Sequence, residues 1–400
     1  MFFMRGIIKE SLNSDAYLYM LGKKIWHLSI LATYKTFHVL FPIKKNKVVI
    51  ASYKGKGYGD NAKYIVNEIL QKDVACEIVW MVSDIHGEKN SFPSDVRLAE
   101  YNSVASIYEL STAGVWIDNC RKPPYVLKRN GQIYIQTWHG GVALKKIEGD
   151  AADKLPEEYI KNARIDTKNI DIMVSNSKFI SDVYRRAFWY SGEVIETGYP
   201  RSDILFEDRL KYKKRLRKRY GLDDGVKVLL YAPTFRDSLD VSSYKVDCNR
   251  IVRAAESRFG GDWVFAVRLH PNVSSLPVEN ILPNSLNVSN HPDMQELLVG
   301  VDVLVTDYSS CMFDSAIAKI PTFIYASDIE DYATERGFYF TFDELPFSVS
   351  TSGSELAMSI MEYDEQQYLE NLERFYSKVG LCDDGKASER VVDVIEKLIK

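Results

Sequence analysis

The pattern that most constrains this sequence occurs twice: short, nearly continuous apolar runs separated by stretches of helical spacing. From Lys47 the runs are KVVIASY (47–53), CEIVWMV (76–82), GVWID (114–118), QIYIQ (132–136) and DIMVS (171–175). A second series follows, with VKVLLYA (226–232), WVFAVRL (263–269), LNVS (286–289), DVLVT (302–306) and PTFIY (321–325). A strand apolar on both faces must be covered on both faces, which is the situation of a parallel sheet with helices above and below it. Stretches such as DNAKYIVNEIL (60–70) supply the cover. The expected class is therefore α/β, with two Rossmann-like doubly wound domains facing a central cleft. A chain of 400 residues also exceeds one ordinary core. The expected division is an N-terminal segment 1–46, a first domain 47–200 and a second domain 201–400 that includes the C-terminal helices. The pattern leaves open whether the stretch from about Asp384 to Lys400 returns to the first domain.

Charge and cysteine content narrow the function classes. A net charge of -4 argues against a general nucleic-acid binder. The five cysteines (Cys76, Cys120, Cys248, Cys311, Cys382) are scattered, without a C-x-x-C pair, so neither a disulfide framework nor a zinc site is expected and a reducing compartment fits. No secretory leader is expected, since the N-terminus lacks an apolar core followed by a small-residue cleavage site. The segment IWHLSILATYKTFHVLFPI (25–43) is interrupted by His27, Lys35 and His38, which makes it too polar for a spanning helix. Lysines flank it on both sides, which suits a helix lying on a membrane surface; a helix packed on its own domain is the other reading. The basic run RLKYKKRLRKRYG (209–221) has the same two readings, an anionic-membrane contact or a solvated helix face.

Ligands of open α/β sheets bind beyond the carboxyl ends of the strands. The residues just after the runs are SYKGKGYGDN (52–61), TWHGG (137–141), APTFR (232–236), RLHP (268–271) and TDYSS (306–310). Ser309 or Ser310 falls where a helix should begin, so free N–H groups and the helix dipole favour an anion there, although most such serines are simple N-caps. Asp314 follows one turn later, placed to reach a ribose hydroxyl. Arg268 and His270 share one side of an extended strand and read as a diphosphate clamp, with Thr234 and Arg236 beside them. His139, across the cleft, can take a proton from a hydroxyl. Gly140 and Gly141 allow close backbone approach or positive φ. Lys145 and Lys146 could meet phosphate, though exposed lysines are usually only solvated. With no D-x-D, H-E-x-x-H or Walker sequence, no metal ligands are assigned and no cofactor is expected.

The ordered motifs QTWHGG with LKK, TGYPRSD, YAPTFR, RLHP, VTDYSSCMFD and IYASDIEDYATERGFYF resemble the CDP-glycerol glycerophosphotransferase family of teichoic acid primases and polymerases, over roughly Lys47 to Phe340. The resemblance implies a GT-B-like pair of domains, a CDP-alditol donor and membrane association without a spanning helix. It makes His139 the catalytic base and puts His270 in the donor-binding set, with a catalytic part in holding the diphosphate as charge moves onto CMP. It makes Arg201, Thr234, Arg236, Arg268, Ser309, Ser310 and Asp314 donor-binding, with Trp138, Gly140, Gly141, Lys145 and Phe235 completing the substrate contacts. One departure bears on acceptor and subclass. The family's Trp-His-Gly-Thr-Pro-Leu-Lys becomes a loop one residue longer, in which Gly141, Val142 and Ala143 separate Gly140 from Leu144.

The resulting expectation is an enzyme on the cytoplasmic face of a membrane, held peripherally. It transfers glycerol phosphate from CDP-glycerol to a hydroxyl of a polyprenyl-diphosphate-linked acceptor and releases CMP. An anionic membrane surface is an expected partner and nucleic acid is not. The rival readings are transfer from CDP-ribitol, a GT-B glycosyltransferase using a nucleotide sugar, and a non-catalytic lipid- or nucleotide-binding scaffold.

Overall fold

The computed structural model describes residues 22, 24–234, 244–269, 278–329 and 337–400. The first sheet has seven strands: β1 (Lys44–Ala51), β2 (Glu77–Val82), β3 (Arg97–Glu100), β4 (Ala113–Asp118), β5 (Ile133–Gln136), β6 (Ile172–Ser175) and β7 (Glu193–Glu196). The second has six: β8 (Lys227–Ala232), β9 (Trp263–Val267), β10 (Leu286–Asn287), β11 (Val303–Thr306), β12 (Thr322–Tyr325) and β13 (Ser348–Ser350). Their orders are β3-β2-β1-β4-β5-β6-β7 and β10-β9-β8-β11-β12-β13, with every neighbouring pair parallel. Both are doubly wound sheets whose order reverses between the first and fourth strands, at β1/β4 and at β8/β11.

The period of two along each strand divides the apolar residues between two cores. Val49, Ala51, Val79 and Met81 face one side of the first sheet, and Val48, Ile50, Ile78 and Trp80 face the other. Helix Asp60–Gln71 covers the second side with Ala62, Ile65, Val66 and Ile69, the spacing of one helical face. The first side is covered partly by a helix over 24–40, which buries Tyr34 and packs Ile30 and Phe37 against the core. The packed reading of this segment therefore holds for one face. Ile25, Leu28, Val39 and Leu40 stay exposed, and Trp26, one turn before Ile30 and edge-on to Tyr125, is 48% exposed. Among the described residues, no helix is long and apolar enough to cross a membrane.

Two boundaries differ from expectation. β1 begins at Lys44, inside the segment assigned to the N-terminal extension. Helix Ala387–Ile399, expected in the second domain, lies on the first sheet, where Val391, Val392 and Ile395 are fully buried beside Val48 and Ile50. The chain returns along Gly380–Cys382, whose backbone bonds Lys178 and Asn176. The reason is burial: helix Asp60–Gln71 alone leaves part of an apolar sheet face uncovered.

Helix Arg209–Tyr220 is closed by Asp208 at its N-cap and by Gly221, in the left-handed region at φ 66. Its basic residues divide into two groups. Arg209 donates to the carbonyls of Val299 and Val301, while Lys213 and Arg217 pair with Asp302. These three hold the helix to its own domain, so only Lys211, Lys214, Arg215, Lys218 and Arg219 form the exposed basic face.

Candidate active site

The site forms at the carboxyl edge of the first sheet, around its switch point. The turn after β1 carries Tyr53, Lys54, Gly55 and Gly57 at φ 45, 59, 89 and 74, and helix Asp60–Gln71 begins on Asp60 at φ 56. Gly55 is required there, because a Cβ would stand 2.9 Å from the backbone nitrogen of Ser83. Asn119 follows β4 and His139 follows β5, so both reach the same edge.

His139 is half-buried, with its ring 4.3 Å from Trp138 and 5.8 Å from Tyr53, centre to centre. Its Nδ1 lies 2.6 Å from the carbonyl oxygen of Asn119. A carbonyl can only accept, so Nδ1 carries the proton and the neutral ring keeps its lone pair on Nε2. Nε2 makes no hydrogen bond to a described residue. Burial lowers the imidazole below its ordinary 6.5, against the Asn119 hydrogen bond and the Asp60 carboxylate, which act the other way. The neutral, proton-accepting form therefore prevails at pH 7.

Trp138, expected to contact substrate, is buried. Its backbone is left-handed at φ 53, held by Gln136 Oε1 at 2.8 Å on its N–H and by Asn61 Nδ2 at 3.2 Å on its carbonyl. Neither Gly140 nor Gly141 has positive φ. Gly141 instead answers a close approach, since a Cβ would meet Asn176 Nδ2 at 2.8 Å. The loop then enters the second domain. Val142 and Leu144 are buried among Tyr308, Met312 and Phe313, and Lys145 pairs with Phe338. The longer loop thus has a packing role: its apolar residues bind the histidine segment to the second domain.

Arg201 is also placed differently from expectation. It is buried, donating to Asp60 Oδ1 at 3.0 Å, to the carbonyl of His139 at 2.8 Å and to Asp314 at 3.1 and 3.3 Å. Asp314 also accepts from Gln295 at 2.9 Å and is buried, so its carboxylate is engaged between the domains rather than open to a ribose. Thr234 donates through its N–H and hydroxyl to Asp307, joining the ends of β8 and β11. Ser310 is the N-cap of helix Cys311–Ile317 without a side-chain capping bond; Ser309 and Ser310 stay half-buried among fully buried neighbours. Arg268 donates to the carbonyl of His291 at 2.6 Å, and burial lowers its guanidinium below the ordinary arginine value. Phe235, Arg236 and His270 lie outside the described residues. Among the described residues, no group of three or more His, Cys, Asp or Glu side chains is placed to hold a metal ion.

Sequence reasoning overlooked Asp60 and Asn119. The strand-end rule contained the signal: Asn119 follows GVWID directly, and Asp60 closes the glycine-rich turn.

Residues 33–397 match the model of the CDP-glycerol:poly(glycerophosphate) glycerophosphotransferase family. The teichoic acid poly(glycerol phosphate) polymerase of Staphylococcus epidermidis is 33% identical over 377 residues, covering 90% of this chain but only 51% of the polymerase. The chain thus spans about half the length of that relative. The teichoic acid glycerol-phosphate transferase of Staphylococcus aureus is 31% identical over 390 residues, covering 94% of this chain and 98% of the transferase. A structure of the wall teichoic acid polymerase TagF superposes with a TM-score of 0.82 at 30% identity, covering 95% of this chain and 97% of that one. On sequence and fold, the chain belongs to the CDP-glycerol:poly(glycerophosphate) glycerophosphotransferase family.

Proposed function

We propose that the protein transfers glycerol phosphate from CDP-glycerol to a hydroxyl group on a lipid-linked acceptor, releasing CMP, in the synthesis of teichoic acid or a related surface polymer. The observation that carries this reading is the orientation of His139, whose Nδ1–H is committed to Asn119 and whose Nε2 is left to take a proton. In the step, the acceptor oxygen attacks the phosphorus that bears glycerol. Its proton passes to Nε2, the bond from that phosphorus to the CMP oxygen breaks, and CMP leaves with the bonding pair. Positioning and charge stabilisation do most of the work in phosphoryl transfer. Arg268 and the N-terminus of helix Cys311–Ile317, with Ser309 and Ser310, would receive the charge gathering on CMP. Arg236 and His270 join them on the family resemblance.

A peripheral position on the cytoplasmic face of the membrane belongs to the same reading. It is supported by the exposed Ile25, Trp26 and Leu28 and by a second patch where Phe206 and Leu210 lie beside Lys211 and Lys214.

The test is CMP release by purified protein with a lipid-linked acceptor, comparing CDP-glycerol, CDP-ribitol and UDP-sugars. Release from CDP-glycerol with its phosphate retained in the product is expected. Preference for CDP-ribitol would move the assignment to a ribitol-phosphate transferase. Turnover of a UDP-sugar alone would overturn the reading.

A further inference from the structure

The hydrogen bonds around His139 form a closed ring. Its Nδ1–H donates to the Asn119 carbonyl at 2.6 Å, and the Asn119 side-chain amide donates to Asp60. Asp60 accepts from Arg201 at 3.0 Å, and Arg201 donates to the carbonyl of His139 at 2.8 Å, so the ring begins and ends on the histidine. Asn119 is fixed from two further directions, accepting from the N–H of Tyr53 at 2.8 Å and donating to the hydroxyl of Ser52 at 3.2 Å. Asp60 holds a left-handed backbone, φ 56, which a residue with a side chain keeps only when its surroundings over-determine it. The other nitrogen of Arg201 reaches Asp314 of the second domain at 3.1 Å, so the ring is anchored in both domains.

We propose that Asp60 is a positioning residue for His139, acting through Asn119 and Arg201, and that the Asp60–Arg201–Asp314 bridge ties the orientation of the imidazole to the juxtaposition of the two domains. This rests on His139 being the base. The carbonyl of Asn119 selects the tautomer with Nε2 unprotonated, and Asp60 fixes that carbonyl by holding the side chain of the same residue. A base must sit within hydrogen-bond reach of the proton it removes, so a small displacement of Asn119 is felt in the rate. The charged and titratable groups that face the imidazole are Asp60, Glu148, Arg201 and Tyr53. Asp60 and Glu148 favour the imidazolium, and Arg201 opposes it.

The experiment uses the full chain with Asp60→Asn. In CMP release, kcat should fall on the order of 10-fold to 100-fold, less than the loss of up to about 10⁴ on removing a general base. The KM and Kd for CDP-glycerol should not change. The acid limb of kcat/KM should move to lower pH, because an anion that favoured the imidazolium is gone. In ¹⁵N-histidine spectra of the ligand-free protein, His139 should be Nδ1-protonated in the wild type and a tautomer mixture in the variant. Wild-type kcat with an unmoved limb overturns the proposal. So does a loss of kcat accompanied by lost donor binding and an unmoved limb, since that is a merely structural effect. Asn119→Ala covers the case where Asp60→Asn does not fold. It keeps the carbonyl and every charge, so kcat should fall and the tautomer should mix with the limb in place; wild-type values in both overturn the proposal. If the wild type releases no CMP from CDP-glycerol, the functional reading fails, whereas the tautomer spectra still decide the positioning role.

Discussion

At the scale of single residues, the proposed chemistry depends on His139 remaining neutral and facing one way. Replacing His139 with Ala should lower kcat on the order of 10² to 10⁴ while CDP-glycerol still binds, as separate turnover and calorimetric titrations would show. Because burial lowers the imidazole pKa, the base-competent form persists below the ordinary 6.5 and is lost only as pH falls through the lowered value. The acid limb of kcat/KM should therefore lie below 6.5; a limb above it would contradict the assignment. The two glycines separate packing from chemistry. A Cβ at Gly140 meets only the Trp138 ring at 4.0 Å, whereas one at Gly141 strikes Asn176 at 2.8 Å. Asn176 is itself fixed by Asp383 at 2.8 Å and cannot move aside freely. Gly141→Ala should cost about 1–3 kcal/mol in denaturant unfolding, as overpacking does. Gly140→Ala should unfold like the wild type, so any loss of kcat/KM in that variant reports crowding of the substrate.

At the scale of elements, helix Arg209–Tyr220 shows how one run of cations serves two purposes. Arg209, Lys213 and Arg217 attach the helix to its own domain, and Lys214, Arg215, Lys218 and Arg219 face solvent. Reversing the charge of Lys214, Arg215, Lys218 and Arg219, four of the five exposed cations, should weaken co-sedimentation with anionic vesicles at low salt, by roughly 1 kcal/mol for each residue close to the surface, and leave the melting temperature unchanged. Replacing Arg217 with Ala should instead lower the melting temperature, because Asp302 would lose a partner held at 3.0 Å. If the reversed protein sediments with such vesicles as the wild type does, this helix is not the membrane contact. The three strands that the apolar pattern did not reveal, β3, β7 and β13, all sit at or beside sheet edges. Their sequences are RLAE, EVIE and SVS, short and polar, as exposed edges tend to be.

At the scale of the molecule, the chain crosses between the domains more than once. The histidine loop enters the second domain through Val142 and Leu144, and the C-terminal helix returns to the first sheet. Lys63 and Tyr64 reach Asp293 at 2.7 and 3.1 Å, and the Arg201 bridge lies alongside. The C-terminal helix is therefore part of the first domain's core. Ile395→Ala should destabilise by about 2–5 kcal/mol, as deletion of a fully buried side chain does, measured by denaturant unfolding. Near-wild-type stability would mean that the helix is not packed as described.

The sequence by itself determined the two sheets and the edge at which the candidate site lies. Period, apolar continuity and turn residues are local properties, and KVVIASY, GVWID or DVLVT cannot bury both faces except inside a covered parallel sheet. His139 and the N-cap position of Ser310 were legible for the same reason, since each follows a strand end. The connections among these pieces were decided only by the tertiary structure. Asp60 lies 59 positions from Asn119 and 141 from Arg201, and Asp314 lies 113 beyond Arg201. Arg201 read as a donor-binding cation, yet two buried carboxylates from different domains claim it. Removing either water or a partner from a buried charge is costly, so the carboxylates and the guanidinium are held together wherever the fold brings them into one desolvated space. That meeting depends on how the sheets face each other, which no local pattern encodes.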